Sequence, residues 1–256
     1  MLRQVLLGVM LGVVAAGPAA AGDDKSDESQ TVTEIPEFSA VYELRRNNLR
    51  AAELTRTLSC EDDGRCRFSS KGRTVGFADV LLRGRIDEFT RFRLDADGIH
   101  ARDYSYRQRA RGGNDEYVRL FFNPATGRVN SRGDDEWQDD IEGEVMDELL
   151  SQLRLAMAVR DGQTEMEFTV VEGDGEREVY RFEVQGTDRI ETNAGTFDAV
   201  KVQRVGGSER RTTTMWFAPE LEYIPVVVKQ EHVERENYTA TLKEIKSGPE
   251  LRSIGG

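Results

Sequence analysis

The segments ETNAGTFDAVKVQR (191–204) and TTTMWFAPELEYIPVVVKQ (212–230) carry the clearest structural signal in the chain. Apolar and polar residues alternate along both segments, and many of the residues are β-branched or aromatic, which is typical of half-buried strands. Asn, Gly and Pro interrupt the alternation, and these residues favour turns and strand ends. We therefore predict three strands joined by tight turns between positions 191 and 230.

The same alternation recurs on both sides of this stretch. It predicts further strands at residues 38–45, 51–60, 66–71, 86–94, 99–108, 116–122, 165–171, 178–185 and 237–245. Short turns rich in Gly and Asp separate most of them, so hairpin connections and an antiparallel sheet are expected. The predicted fold is mainly β, a curved antiparallel sheet or open barrel of about twelve strands. A two-sheet β-sandwich is the alternative.

One segment has a helical period instead. Between residues 144 and 159 the apolar residues recur at steps of three and four. Acidic residues crowd its first turns, and Arg154 and Arg160 lie near its end, an order that suits the helix dipole. The pattern predicts one α-helix that covers a face of the sheet with its apolar stripe.

The first 21 residues have the pattern of a secretory signal. Arg3 precedes an uncharged apolar run at 5–16, Pro18 breaks the run, and three alanines end at Ala21. The run is shorter than the roughly 20 residues of a membrane span, although an uncleaved N-terminal anchor is the alternative. We predict cleavage near Ala21, a disordered acidic leader at 22–34, a single β-rich domain at 35–246, an irregular tail at 247–256, and a periplasmic location.

The chain has two cysteines, Cys60 and Cys66, on either side of an Asp63-Gly64 turn signal. In an exported protein two such cysteines predict one disulfide that staples a hairpin. Five intervening residues match neither the redox motif nor a zinc pair.

Charge and motifs argue against several functions. The formal charge of −12 disfavours nucleic acid and, on charge alone, anionic lipid surfaces. With two histidines and neither a nucleophile elbow nor a Gly-rich phosphate loop, the sequence predicts no catalytic residue and no cofactor. The acidic run at 134–144 could ligate Ca²⁺, but it lacks EF-hand spacing, so we interpret it as a solvated loop and predict no metal.

Aromatic residues are the remaining candidates for a binding site. Tyr104, Tyr106, Trp216 and Tyr223 could line a concave face of the sheet and bind an apolar or sugar ligand. The alternative is that they belong to the ordinary core of the sheet.

Four short motifs resemble those of an exported bacterial family catalogued as domain of unknown function 3108. They are Glu191-Thr192, the segment GTFDAVKV (195–202), the segment WFA (216–218) and the segment YIPV (223–226). The resemblance implies a periplasmic, mostly antiparallel β domain and brings no established catalytic residues.

The functional prediction is a soluble periplasmic protein, non-enzymatic, that binds an apolar or envelope-derived ligand or partner on a concave β face. One alternative is an envelope polysaccharide hydrolase that uses two carboxylates about 5–10 Å apart. Another is a structural envelope assembly factor without a pocket. The sequence does not decide the oligomeric state.

Overall fold

The computed structural model describes residues 36–76, 79, 83–113, 115–207 and 210–248. The predicted signal peptide, the acidic leader and all but the first two residues of the predicted tail lie outside this range.

Fifteen strands make up the sheet of the described residues. They are β1 (Phe38–Arg46), β2 (Leu49–Cys60), β3 (Arg65–Thr74), β4 (Arg85–Asp95), β5 (Gly98–Arg109), β6 (Glu116–Asn123), β7 (Arg128–Gly133), β8 (Gln138–Asp140), β9 (Val145–Met146), β10 (Glu165–Val171), β11 (Arg177–Thr192), β12 (Gly195–Val205), β13 (Arg211–Ala218), β14 (Ile224–His232) and β15 (Tyr238–Ser247). The mainly β prediction is confirmed, but the count of about twelve is too low. The missed strands β7, β8 and β9 are short, and β7 and β8 contain few apolar residues.

All fifteen strands belong to one sheet, and its order explains how the chain is wound. The order is β8-β7-β6-β5-β4-β3-β2-β1-β15-β14-β13-β12-β11-β10-β9. The first eight strands form one antiparallel meander, and β10–β15 form another. Pairing of the first strand with the last joins the two meanders in the middle of the sheet. The sheet stays open, with β8 and β9 at its edges, and β9 pairs with β10 in the parallel sense.

The helix α1 (Glu148–Arg160) lies inside the curve of this sheet. It packs against β3 and β4 of one meander and against β10 of the other, so strands far apart in the sheet order surround it. Its buried residues occupy nearly all sides: Leu149, Leu150, Ser151, Leu153, Leu155, Ala156, Met157, Ala158 and Val159. A helix that is apolar all round requires such enclosure. The predicted helix is confirmed, but it fills the concave side rather than covering it with one stripe.

The helix begins at Glu148, later than the predicted start at 144. Val145 and Met146 pair with β10 as strand β9, which ends the extended chain immediately before the helix. Asp147 is the N-cap, and its side chain accepts a hydrogen bond of 2.9 Å from the Leu150 N–H. Carboxylate caps of this type satisfy N–H groups that have no partner within the helix.

Side chains join the β8 edge of the sheet to the β10–β11 hairpin near the other edge, at a junction that we call the seam. Trp137, just before β8, donates its indole N–H to the carbonyl oxygen of Gly173 at 3.1 Å. Arg177 of β11 forms an ion pair with Asp139 of β8. The Trp137 ring lies over Gly175, where a β-carbon would come within 3.0 Å of ring atoms. The seam therefore holds the sheet in its curled form without strand-to-strand hydrogen bonds.

Cys60 and Cys66 form a disulfide, as predicted, and lie directly opposite each other across the β2–β3 hairpin. Within the described ranges, no helix is both long and apolar enough to cross a membrane.

Replacement of Gly175 by alanine should loosen the seam. Gly175 has a φ of +94°, and a β-carbon there would press on the Trp137 ring. We expect Gly175→Ala to lower the free energy of unfolding by about 2–3 kcal/mol, from backbone strain and the clash together. Urea denaturation followed by circular dichroism measures this.

Gly162→Ala is the matched control for that substitution. Gly162 has a φ of +80°, and nothing lies within 4 Å of a β-carbon built on it. It should therefore show the backbone cost alone, about 1 kcal/mol. Equal losses in the two variants would contradict a role for the Trp137–Gly175 contact.

Candidate functional site

The structure separates the four aromatic residues predicted to bind a ligand. Tyr104 is only 3% exposed and donates its hydroxyl to Glu88 Oε1 at 2.8 Å. Tyr106 is partly buried and donates to Gln108 Oε1 at 2.9 Å. Both face the inner side of the sheet, where the helix packs. They therefore belong to the packed interior.

Trp216 lies on the outer face of the sheet, because its neighbours Met215 and Phe217 are both buried in the core. Its indole N–H donates to Asp188 Oδ2 at 2.9 Å, and the Lys201 ammonium lies 5.7 Å from the ring centroid. The polar groups that contact the Trp216 ring are thus side chains of neighbouring strands of the same sheet.

Tyr223 follows a 3₁₀ turn (Pro219–Leu221) and has an unusual backbone. Glu222 and Tyr223 have consecutive positive φ angles of 52° and 61°. Such angles cost on the order of 1 kcal/mol or more for residues other than glycine. The strained pair places Tyr223 against the helix, where it lines a small space that we call the helix cleft.

The helix cleft has a volume of about 30 Å³. Apolar side chains form most of its wall, among them Phe38, Phe68 and Met157, and Arg56 and Arg160 lie at its polar end. The volume suits about one water molecule.

A larger space, which we call the seam cavity, lies beside the edge of the sheet. Its volume is about 340 Å³. The floor is apolar and is formed by Ile99, Ala101, Phe122, Ile141 and Val145. Its remaining lining residues are Asp97, His100, Pro124, Gly127, Gly143 and Glu144, three of which can carry charge.

Turns at one end of the sheet position the walls of the seam cavity. The β4–β5 turn supplies Asp97, the β6–β7 turn supplies Gly127, and the link between β8 and β9 supplies the opposite wall. The Ile141 N–H donates to the Gly127 carbonyl oxygen at 2.7 Å, which holds this link against the β6–β7 turn. A β-carbon on Gly127 would lie 3.2 Å from the Ile141 carbonyl oxygen, so a glycine permits the close approach.

His100 is the titratable side chain of the cavity with a defined partner. Its Nε2 lies 3.1 Å from Asp95 Oδ1. The carboxylate orients the imidazole ring on the outer face, since His100 pairs with Arg93 across β4 and β5. Ile99 and Ala101 of the floor, by contrast, project inward. Convergence of a few polar groups on an apolar pocket is the usual composition of a small-molecule site.

A second cluster of polar groups lies deep inside the molecule, at the N-terminus of α1. Asp147 is fully buried, and Thr90 donates its hydroxyl to Asp147 Oδ2 at 2.7 Å. Burial raises the pKa of Asp147 to about 7, the nearby Glu88 adds to this, and the hydrogen bonds from Thr90 and Leu150 oppose it. Burial also raises the pKa of Glu88. The carboxyl groups here therefore tend to hold protons.

The wall opposite carries a similar arrangement. Glu172 is 2% exposed and accepts a hydrogen bond of 3.0 Å from the Tyr180 hydroxyl. Burial, followed by repulsion from Glu178, raises the pKa of Glu172. The Arg204 guanidinium lies 3.6 Å from the centroid of the Tyr180 ring, and its Nη2 is 2.5 Å from Glu178 Oε1. Glu172 and Tyr180 are buried, whereas Glu178 and Arg204 are partly buried, so the cluster extends from the interior toward the surface.

No group of three or more His, Cys, Asp or Glu side chains in the described part of the chain is arranged to hold a metal ion. The acidic run at 134–144 forms the short strand β8 and the link to β9. Sequence reasoning did not find the seam cavity, because its lining comes from three turns that are distant in sequence. The Asp97-Gly98 and Pro124-to-Gly127 turn signals were visible, but only the strand order shows that they lie at the same end of the sheet.

Fold and site together define a class of protein: an open antiparallel sheet that curls around one buried helix and leaves a cavity at the seam. The chain belongs to the family described as a protein of unknown function, DUF3108, whose model matches residues 41–241. This confirms the family resemblance seen in the sequence.

Solved structures agree on the fold. The chain is similar to a β-barrel-like protein of domain of unknown function DUF1849 from Brucella abortus, with a TM-score of 0.55, 12% identity, and coverage of 84% of this chain and 99% of that chain. At this identity the likeness shows the fold alone. A candidate lipoprotein from Parabacteroides distasonis covers 83% of this chain and 96% of its own at 13% identity, but its TM-score of 0.31 carries no argument. No curated protein matches the chain.

Asp147→Asn should remove part of the pH dependence of stability. A raised pKa means that the folded protein gains stability from the neutral carboxyl group below the unfolded value of about 3.8, and loses it as the pH rises through about 7. Asparagine resembles the neutral acid, since its Oδ1 can still accept from Leu150 and its amide can donate to Thr90. The variant should match the wild type below about pH 4, exceed it by roughly 1.5 kcal/mol at pH 5, and exceed it by roughly 4 kcal/mol at pH 8.

Urea unfolding of both proteins from pH 4.5 to 8.5 measures the difference. Asp188→Asn is the control, because Asp188 lies at the surface with a pKa lowered first by its hydrogen bond from Trp216. The free energy of unfolding of Asp188→Asn should therefore not increase relative to that of the wild type as the pH rises. A constant difference between Asp147→Asn and the wild type would exclude titration of Asp147 in this range.

Proposed function

We propose that this chain is an exported, non-enzymatic protein that binds a small, largely apolar ligand in the seam cavity. The observation that carries the proposal is the cavity itself, whose volume of about 340 Å³ falls within the range of small-molecule sites. Export and a periplasmic location rest on the signal pattern of residues 1–21.

The filled interior explains why this cavity is preferred over the broad concave face. Helix α1 occupies the space where Tyr104 and Tyr106 were expected to meet a ligand. The helix cleft beside Tyr223 admits only about one water molecule. The seam cavity offers more than ten times that volume.

The lining of the seam cavity indicates the chemistry of its ligand. An apolar floor that includes Ile99 and Phe122 would accept an alkyl or ring body. Asp97 and Glu144 line it with acceptors and with negative charge. The best fit is therefore a small amphiphile whose polar end carries a hydroxyl or an amine. Two carboxylates disfavour an anionic end.

Ala101→Leu should block the seam cavity. Ala101 lies in the floor and is 7% exposed, so a larger apolar side chain there extends into the cavity. With the fluorescent probe N-phenyl-1-naphthylamine, we expect the wild type to bind and Ala101→Leu to bind at least about tenfold more weakly. Fluorescence titration measures both, and thermal unfolding checks that each protein is folded.

Ala156→Leu is the matched control, since Ala156 lines the helix cleft and is similarly buried at 9% exposed. Its probe affinity should stay close to that of the wild type. A loss in Ala156→Leu with retention in Ala101→Leu would move the site to the helix cleft. No binding by the wild type, together with no ligand in native mass spectra of protein purified gently from periplasm, would reject the proposal.

The other two functions considered from the sequence, a polysaccharide hydrolase and a structural assembly factor, stay predictions. Asp97 and Glu144 line the same cavity and are the carboxylates that a hydrolase would use. Separate Asp97→Asn and Glu144→Gln variants would distinguish catalysis from binding in any envelope polysaccharide assay.

A further inference from the structure

The outer face of strands β3–β7 is basic, although the whole chain has a formal charge of −12. Residues paired directly across neighbouring strands project from the same face of a sheet. Strand register places these cations on one face, which we call the basic face: Arg65, Arg67, Lys71, Arg73, Arg85, Arg91, Arg93, Arg107, Arg109, Arg119 and Arg132. The same face of these strands contains three carboxylates, Asp87, Asp95 and Asp103.

Aromatic rings fix the guanidinium groups in the middle of the basic face. The guanidinium carbon of Arg67 lies 4.0 Å from the ring centroid of Phe89 on β4. That of Arg119 lies 4.7 Å from Phe121. A guanidinium stacked on a ring keeps its N–H edge free for an anion. These arginine side chains are already held in place, so they lose little conformational entropy when an anion binds.

The positive charge in the middle of the basic face is not fully neutralised by carboxylates of the protein itself. At the rim, Arg73 and Arg93 form ion pairs with Glu53 and Asp95. In the middle, Asp103 alone is shared by Arg91 and Arg119, at 3.4 Å from each.

Three further cations have nearby carboxylates at most and no close ion pair. Across the described ranges, Arg67, Arg107 and Arg132 form no ion pair with a carboxylate. Burial and then repulsion from Arg91 lower the pKa of the Arg67 guanidinium, and attraction to Asp103 and Asp87 opposes this.

The distribution of these charges favours a flat array of anions over a single chain. Five neighbouring strands span about 19 Å, and residues on one face repeat about every 7 Å along a strand. The cations therefore cover an area in two dimensions. A linear acidic segment would contact one row, whereas a layer of phosphates meets several rows together.

Screening explains why the net negative charge does not prevent such contact. At physiological salt the Debye length is about 8 Å, which is shorter than the width of the sheet. A charged surface next to β3–β7 therefore interacts mainly with the charges of the basic face, and residues beyond the Debye length contribute less. The repulsion from anionic lipid that we expected from the net charge of the whole chain therefore does not apply to the basic face.

We propose that the basic face docks reversibly on a membrane surface that carries anionic phospholipid headgroups, with the guanidiniums against the phosphates. Each basic residue near such a surface strengthens binding by about fivefold. The docking is independent of the seam cavity, which lies at the end of the sheet.

The test uses the full chain and vesicles of phosphatidylcholine, with or without phosphatidylglycerol. The variant is Arg67→Gln/Arg107→Gln/Arg132→Gln, which removes cations without leaving a carboxylate unpaired. We expect the wild type to co-sediment with the phosphatidylglycerol vesicles only, and the variant to bind on the order of 100-fold more weakly. Raised salt should release the wild type.

The control is Arg181→Gln/Arg189→Gln/Arg210→Gln, which changes the net charge equally at positions outside the basic face, two on β11 and one in the turn before β13. It should bind like the wild type. Equal losses in both variants, equal binding to phosphatidylcholine alone, or no vesicle binding by the wild type would each overturn the proposal. Binding to soluble poly-glutamate without vesicle binding would also overturn it and would assign the face to an acidic protein. Circular dichroism confirms the fold of each variant.

Discussion

Burial of one helix on all sides is the constraint on which the rest of the structure depends. Leu149, Leu150 and Leu155 are each inaccessible to solvent, and they point in different directions around α1. A flat sheet could cover only one of these sides. The sheet therefore has to curl until strands from both of its ends contact the helix. Its curvature is thus a consequence of the helix sequence as much as of strand twist.

This enclosure explains the unusual chemistry of the interior. The N-terminus of the helix brings backbone N–H groups into the core, and Asp147 satisfies one of them there. A carboxyl group in that position is removed from water, so its neutral form is favoured. Thr90 on β4 supplies the hydrogen bond that fixes it in place. The helix start is thereby fixed to the sheet by polar contacts and not by packing alone.

Much of the architecture could be predicted from the sequence, because alternation and period are local signals. The strands β12, β13 and β14 and the position of the helix follow from such signals. The residues that line the seam cavity could not be predicted in the same way. Trp216 was predicted to line a concave face, but the register of β13 places it outward between two buried neighbours. The seam cavity depends on strand order, which joins turns that are far apart in sequence.

The link between β1 and β15 has a consequence for how the molecule is assembled. Tyr42 pairs with Leu242, so the centre of the sheet joins residues separated by almost the whole described chain. Contacts of such long range are slow to form, because the loop between them must close first. Until β15 has paired with β1, each meander has a central edge whose backbone N–H and C=O groups are unpaired and exposed. The last strand is thus the one that joins the two halves of the sheet. A chain truncated before it would leave two half-sheets, each with an exposed strand edge that can pair with other chains.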